Sequence, residues 1–378
     1  MAQKQKEREE RKMSSMVKVV EVWWNKRLVG RIALEPSGLC AFEYDQWFLA
    51  DGVSVSPFEL PLKSGTFIAR RTPFDGGFGV FDDCLPDGWG LLLLDRYLRK
   101  RNVNPNSLTL LDRLSLVGST GRGALEFVPD KSEMPDNTKA DFSAISTEIE
   151  QILSSENYGG TGIDSLYARG GSPGGARPKI FVKDGDGEWL VKFPARYDRQ
   201  DIGKLEYECS LLARKCGIEM PETKLFEGKY FGTKRFDRTN SGKLHVISMA
   251  GLVCADYRSP SIDYLHIFQA CKMLTHSINE MWKIYRLMVF NYLIGNKDDH
   301  AKNFAFIYRD GDWHFAPAYD ILPSEGFNGY HTTTFNDRTE PSDNDLIDLA
   351  VNVGLNRKQA SEIIGCVREE VLKSGIAR

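Results

Sequence analysis

From Val17 to Val29 apolar and polar residues alternate, and the alternation resumes through Gly30-Arg-Ile-Ala-Leu34. A period of two is that of a half-buried strand, so this stretch predicts a β-hairpin. Ala41 to Phe48, with Tyr44, Trp47 and Phe48 as its apolar side chains, predicts a further strand. The period then lengthens: Leu91 to Lys100 carries a leucine-rich face at helical spacing, and Leu108 to Leu116 predicts a second helix. Gly118-Ser-Thr-Gly-Arg-Gly123 is turn chemistry, and Ala124 to Val128 reads as a strand. A short helix over Ile145 to Leu153 and a glycine-rich stretch from Tyr158 to Gly175 come next. Ile180 to Val182 and Trp189 to Phe193 predict strands joined by Asp184-Gly-Asp-Gly187, a strong hairpin signal. Leu205 to Cys216 predicts a helix stopped by Gly217, and strands at Thr223–Phe226 and Lys229–Phe236 complete a small antiparallel sheet. From Asp263 the pattern is mainly helical, broken by a hairpin-like segment from Phe304 to Phe315, with neither internal repeats nor a coiled-coil heptad.

At 378 residues the chain exceeds the usual size of a single core, so two or three domains are expected. Its 42% hydrophobic and 27% charged content is that of a soluble globular protein. A net charge of −3 argues against a sequence-wide electrostatic footprint for nucleic acid. Arg96, Arg99, Lys100 and Arg101 could touch DNA, but a solvated helix end explains them as well. No apolar run reaches membrane-spanning length: the most apolar candidate, Ile284 to Ile294, is short and interrupted by Arg286. Met1 to Lys12 is polar and lacks the apolar centre of a signal peptide, so disorder is expected there, with Met13 or Met16 as alternative starts. Seven scattered cysteines with no Cys-x-x-Cys pair suit a reducing compartment and give no zinc signature. A cytoplasmic protein is expected.

The chemistry concentrates in Asn291 to Ser324. Asp298 and Asn303 are separated by four residues, the separation of a protein-kinase catalytic loop, in which the Asp accepts the substrate hydroxyl proton and the Asn holds a metal. Asp320, on a later turn, supplies a second candidate ligand, and Asn303 and Asp320 offer the hard oxygens that magnesium prefers. Lys302 could neutralise phosphate charge. His300 reads as a residue that fixes the loop by hydrogen bonds, and Asp299 competes with Asp298 for the catalytic register.

An isolated Asp-x4-Asn means little, but its upstream partners fall in kinase order. Ala168-Arg-Gly-Gly-Ser172-Pro is followed by Gly174-Gly175-Ala176-Arg177-Pro178-Lys179, a glycine-rich turn whose bare backbone could approach an anion. It lacks the ending of a Walker A loop and leads into a strand rather than a helix. Lys192 lies within the apolar strand Trp189-Leu-Val-Lys-Phe193 and needs an anionic partner, which Glu206 or Glu208 on the next helix could be. Lys234-Arg235-Phe236 ends a strand where a kinase joins its lobes, and could meet an adenine edge. His245 to Asp256, where an activation or substrate loop is expected, carries no decodable motif.

In these residues the chain resembles the HipA-like serine/threonine kinases of bacterial toxin–antitoxin modules, from about Val17 to about Val371. The most specific marks are Leu85-Pro-Asp-Gly-Trp89-Gly, Gly-Gly-Ser172-Pro-Gly-Gly-Ala-Arg-Pro-Lys179, Arg235-Phe-Asp-Arg238, Asp298-Asp-His-Ala-Lys-Asn303 and Pro317-Ala-Tyr-Asp320-Ile-Leu. The resemblance implies an α+β, two-lobed protein-kinase-like fold related to lipid kinases, with a β-rich N-terminal subdomain and a mainly helical C-terminal lobe. Residues 17–128 would form the subdomain, 129–142 a linker, 143–240 the nucleotide-binding part and 241–378 the helical catalytic lobe, after a disordered 1–16. It implies ATP and Mg²⁺, with Asp298 as catalytic base, Asn303 and Asp320 as metal ligands, Lys192 on the phosphates oriented by Glu206, and Gly174 to Lys179 as the ATP loop. Lys234 to Phe236 would be the hinge, and His300 with Tyr319 would line the nucleotide site beside Lys302. Ser172 stands where family members autophosphorylate, and a phosphate there, carrying roughly −1.5 to −2 charge, would compete with ATP for the loop. The implied partners are a small DNA-binding antitoxin (HipB-like), through which DNA is reached, and a protein substrate such as a translation factor or an aminoacyl-tRNA synthetase. A catalytically weak nucleotide-binding regulator that acts by complex assembly is the alternative; a metal-dependent nuclease or phosphohydrolase would leave the Gly loop, strand lysine and hinge without a role.

Overall fold

A computed structural model describes residues 16–133, 138–155, 160, 162–170, 174–185, 187–326 and 328–376. Near the N-terminus, β1 (Val19–Trp24), β2 (Arg27–Leu34), β3 (Cys40–Tyr44), β4 (Thr66–Ile68) and β5 (Leu125–Val128) form an antiparallel sheet in the order β4-β3-β2-β1-β5. Strand alternation puts Val20, Val22 and Trp24 in the core. The strand expected through Phe48 stops at Tyr44. Asp45 accepts the Trp47 amide at 2.9 Å and caps α1 (Gln46–Asp51), so Phe48 turns inward and Trp47 is left exposed.

Two short-range signals place the next helices. After α2 (Gly79–Asp82), α3 runs over Gly88–Lys100, three residues earlier than its leucine face suggests, and α4 (Leu110–Val117) is fixed by a capping box between Thr109 and Asp112. Within α3, Arg96 is buried and donates to the carbonyls of Ser155 at 2.7 Å and Ile152 at 3.2 Å, while Lys100 and Arg101 pair with Asp164 at 2.6 and 2.7 Å. Arg96 is thus buried rather than part of a solvated helix end, whereas Arg99 and Lys100 are exposed, as that reading expects.

The end of the expected linker already belongs to α5 (Phe142–Ser154), whose first residue is buried. The glycine-rich stretch, to which the sequence assigns no element, contains α6 (Gly162–Gly170): Ile163, Leu166 and Tyr167 recur at helical spacing and are buried. A second antiparallel sheet follows, with β6 (Lys179–Asp184), β7 (Gly187–Lys192), β8 (Thr223–Phe226) and β9 (Tyr230–Lys234) in the order β6-β7-β9-β8, and α7 (Ile202–Lys215) packs against it. A small hairpin, β10 (Arg238–Thr239) with β11 (Gly242–Lys243), leads to a three-stranded sheet of β12 (His245–Ser248), β13 (Ala305–Arg309) and β14 (Asp312–Phe315). His245 to Asp256 is therefore not an open substrate loop. It forms β12 and α8 (Met249–Val253), and Val246, Ile247, Met249, Ala250 and Leu252 are core residues.

Four helices, α9 (Tyr264–Thr275), α10 (Ile278–Ile294), α11 (Asp343–Asn352) and α12 (Arg357–Ser374), make up most of the C-terminal part. The largest apolar core runs from the N-terminal sheet into these helices. A second core joins α3, α5 and α6 to the β6–β9 sheet, with Trp89, Leu93 and Tyr97 beneath Ile180 and Val191. Among the described residues no helix is long and apolar enough to cross a membrane.

Candidate active site

Lys192 ends β7, a strand buried on alternate positions, and its ammonium lies in the interior. Nζ donates to Glu206 Oε1 of α7 at 2.5 Å and also pairs with Asp320 Oδ1. Burial alone would lower the lysine pKa, but Asp320 and Glu206 outweigh it and hold Lys192 charged. For Asp320, burial is likewise overcome, chiefly by Lys192 and Lys179, and its carboxyl stays ionised well below the usual range. Burial pushes Glu206 up, with Lys192 offsetting part of that shift. Glu208, the other candidate partner, is a surface residue 3.9 Å from Lys204.

Asp320 adopts φ of 56°, a left-handed conformation that an L-residue keeps only when its surroundings impose it, a form of strain that clusters at functional sites. Its carbonyl accepts from Asn296 Nδ2 at 3.5 Å, and Asn296 is itself buried and bonded to Asn291 at 3.0 Å.

After α10 closes on Gly295, the next turn separates the two adjacent aspartates. Asp299 is fully buried and accepts from Tyr264 Oη at 3.1 Å, His331 Nδ1 at 3.0 Å and the amides of Thr332 and Thr333 at 2.9 and 3.1 Å. Asp298 is exposed, its amide donating to Ser324 Oγ at 2.9 Å. Lost hydration raises the Asp298 pKa; His300 opposes this and Asp320 adds to it, which places Asp298 within electrostatic reach of both. Asn303 Nδ2 donates to the Asp298 carbonyl at 2.7 Å, and His300 Nδ1 accepts the Lys302 amide at 3.2 Å, so His300 does fix the turn. Among the described residues nothing donates to Asn303 Oδ1 or Asp320 Oδ2. Two hard oxygens, one of them on an ionised carboxylate, are a donor set that fits Mg²⁺.

Of the Gly loop, Gly174 to Lys179 is described and Ser172 lies outside the described residues. Gly174 and Ala176 are exposed, Pro178 is buried, and Arg177 forks onto Asp198 at 2.9 and 3.1 Å. Lys179 is buried opposite Lys192 in the β6–β7 register, with Nζ 2.5 Å from the Gly174 carbonyl. Burial lowers its pKa, and Lys192 adds to this while Asp320 and Asp87 oppose it.

The expected hinge divides by residue. Lys234 pairs with Glu222 at 3.6 Å. The Arg235 guanidinium is taken up by Asp237 at 2.8 Å, Glu188 at 3.7 Å and the face of Phe181, so it does not offer itself to an adenine ring. Phe236 stacks with Tyr319 at 6.1 Å beside buried Val246, Ala305, Ile307 and Ala316, an apolar wall suited to a flat aromatic ligand. Lys302, expected on phosphate, faces Asp87 at 2.9 Å, Asp82 at 3.6 Å and the Tyr257 ring at 3.8 Å. Arg122 was not singled out in the sequence, yet it is half-buried with its guanidinium 2.7 Å from Tyr319 Oη, and Tyr319 Oη donates to the Lys302 carbonyl at 2.6 Å.

The chain has relatives among known proteins. The HipA-like C-terminal domain family matches residues 171–374 and the HipA N-terminal domain family residues 20–128. The chain belongs to the HipA family. Two proteins of Sinorhizobium fredii, "Putative kinase Y4dM" and "Putative kinase Y4mE", are 28% and 26% identical to it, over 88% and 82% of this chain and 85% and 78% of theirs. The solved HipA of Shewanella oneidensis, in a complex with HipB and its operator DNA, superposes with a TM-score of 0.72 at 17% identity, covering 94% of this chain and 89% of that one. That superposition gives the fold, and the expected α+β kinase-like class holds for this HipA-family chain.

Proposed function

We propose that the chain is an ATP- and Mg²⁺-dependent serine/threonine protein kinase that phosphorylates a cellular protein and thereby restricts growth. The observation that carries this reading is the buried Lys192, held between Glu206 of α7 and Asp320, with an exposed Asp298 beside them. Kinases use such a lysine–glutamate pair to place the phosphates, and its survival in a low-polarity setting needs a purpose, since buried ion pairs add little net stability. Lys192 and the Gly174–Lys179 backbone hold the phosphate chain, and the Phe236–Tyr319 wall takes the base. Asn303 and Asp320 would hold Mg²⁺, which when bound neutralises charge on the phosphate oxygens. Asp298 accepts the proton of the attacking hydroxyl, and its exposure leaves room for a protein segment. Asp299 keeps the turn rigid.

Ser172 is the proposed autophosphorylation site, and residues 17–128, 143–240 and 241–378 the subdomain, nucleotide-binding part and catalytic lobe. The solved Shewanella oneidensis HipA is in a complex with HipB and its operator DNA. By analogy, this chain's proposed partner is a small DNA-binding antitoxin in the cytoplasm. Purified protein with Mg²⁺ and γ-labelled ATP is expected to yield phosphoserine or phosphothreonine in itself or in an added protein fraction. Nucleotide binding without any label transfer would replace the kinase with a regulator that works by complex assembly.

A further inference from the structure

Asp87, in the turn between α2 and α3, belongs to the N-terminal part of the chain but spends its carboxylate on the proposed active site. Oδ1 accepts the Gly175 amide of the Gly loop, and Oδ2 accepts from Lys302 of the catalytic turn at 2.9 Å. The residues beside it repeat the connection: the Trp89 amide donates to the Gly175 carbonyl at 3.0 Å, and Trp89 Nε1 donates to the Lys179 carbonyl at 3.2 Å. Gly88 has φ of 45°, and a Cβ there would stand 2.5 Å from the Gly175 oxygen, so the two backbones touch where only glycine fits. The carboxylate is 17% exposed and the Lys302 side chain 12%, so solvent screens this ion pair poorly.

We infer that Asp87 is a positioning residue for the nucleotide: it tethers the Gly loop to the catalytic turn, so that the N-terminal subdomain sets ATP affinity. Beyond Asp87, the described part of the loop is held by the Trp89 amide on the Gly175 carbonyl, by Arg177 on Asp198 and at its far end, where Lys179 enters β6 opposite Lys192. The tether at Gly175 pins the near end. The segment from Ala176 to Pro178 is thereby confined beside Lys192 before any ligand arrives, which lowers the ordering cost of binding. Lys302 acts through Asp87 rather than on phosphate. This inference rests on the kinase reading.

The test compares wild type with Asp87→Asn, which keeps the size and one acceptor oxygen, and Asp87→Ala, which keeps neither. Losing a charge-assisted hydrogen bond from the loop is expected to raise KM for ATP about tenfold, more for Ala than for Asn, with kcat within about twofold of wild type. Amide hydrogen exchange over residues 174–179 should accelerate in the same order. A Lys302→Met change should add little to Asp87→Asn, since both cut one connection. An unchanged KM in a folded Asp87→Ala protein, unchanged exchange, or fully additive effects would overturn the tether. Should wild type transfer no phosphate, the kinase reading falls alone, and the exchange measurement still decides whether Asp87 holds the loop.

Discussion

Asp298 and Asp299 show how much one residue of register matters. The sequence offers two adjacent carboxylates with no means of ranking them, because the spacing to Asn303 fits one and nearly fits the other. Burial separates them: Asp299 has four donors converging on it from Tyr264, His331, Thr332 and Thr333, contributed by segments 30 or more residues away. Such long-range partners leave no local mark in the sequence. Asp299→Asn turns one acceptor into a donor against this ring and is expected to cost about 2–3 kcal/mol of stability, while Asp298→Asn, at an exposed position, leaves the denaturation midpoint nearly unchanged. Urea unfolding of the two variants checks this; equal stabilities would remove the distinction. Lys192 was legible for the opposite reason. A lysine inside an apolar strand announces an anionic partner, although choosing Glu206 over Glu208 required knowing which face of α7 points inward.

At the scale of elements, periodicity served where composition agreed with it and failed where glycine intervened. The N-terminal hairpin, the β6–β7 hairpin and α7 follow their patterns closely. α6 was hidden by the glycines around it, and its helix is held by the burial of Ile163, Leu166 and Tyr167 against α3 and β6, a tertiary effect that overrides propensity. Lys234 to Phe236 is expected to be a hinge, but the central feature of the overlapping Arg235-Phe-Asp-Arg238 stretch is Asp237. Buried, this carboxylate accepts from Arg235, from Arg238 at 2.9 Å and from the Gly123 amide at 2.8 Å, strapping the end of β9 to the turn before β5. Burial would raise its pKa, yet the two guanidiniums and the amide hold it well below the carboxylate range. A depressed pKa contributes stability that is fully present above the unfolded value of about 3.9 and is lost as pH falls through the folded value. Asp237→Asn, which leaves two buried guanidiniums without their shared charge, is therefore expected to lose about 3–5 kcal/mol near neutral pH. The difference from wild type should shrink in acid. A constant difference across pH, measured by chemical denaturation, would contradict this account of the strap.

Over the whole molecule, the N-terminal part and the kinase-like body share cores rather than merely abut. The main core runs from Val20 and Phe42 to Ile284 and Val367, and Trp89 of α3 packs in the core of the β6–β9 sheet. A reading by segments along the chain sees a β-rich subdomain followed by a catalytic body. It does not see that Asp83 of the first binds the Ser248 amide and hydroxyl of the second, both at 2.6 Å, because the partners are 165 residues apart. This integration puts Lys192, Glu206, Asp298, Asn303 and Asp320, drawn from separate elements, around one site. Phosphoryl transfer by that site, with Asp298 as the proton acceptor, is the central claim. It is tested most directly by equilibrium ATP binding and single-turnover label transfer in wild type and Asp298→Asn. The account predicts unchanged binding with transfer slowed by about 10²–10⁴; transfer by the variant at the wild-type rate would contradict it.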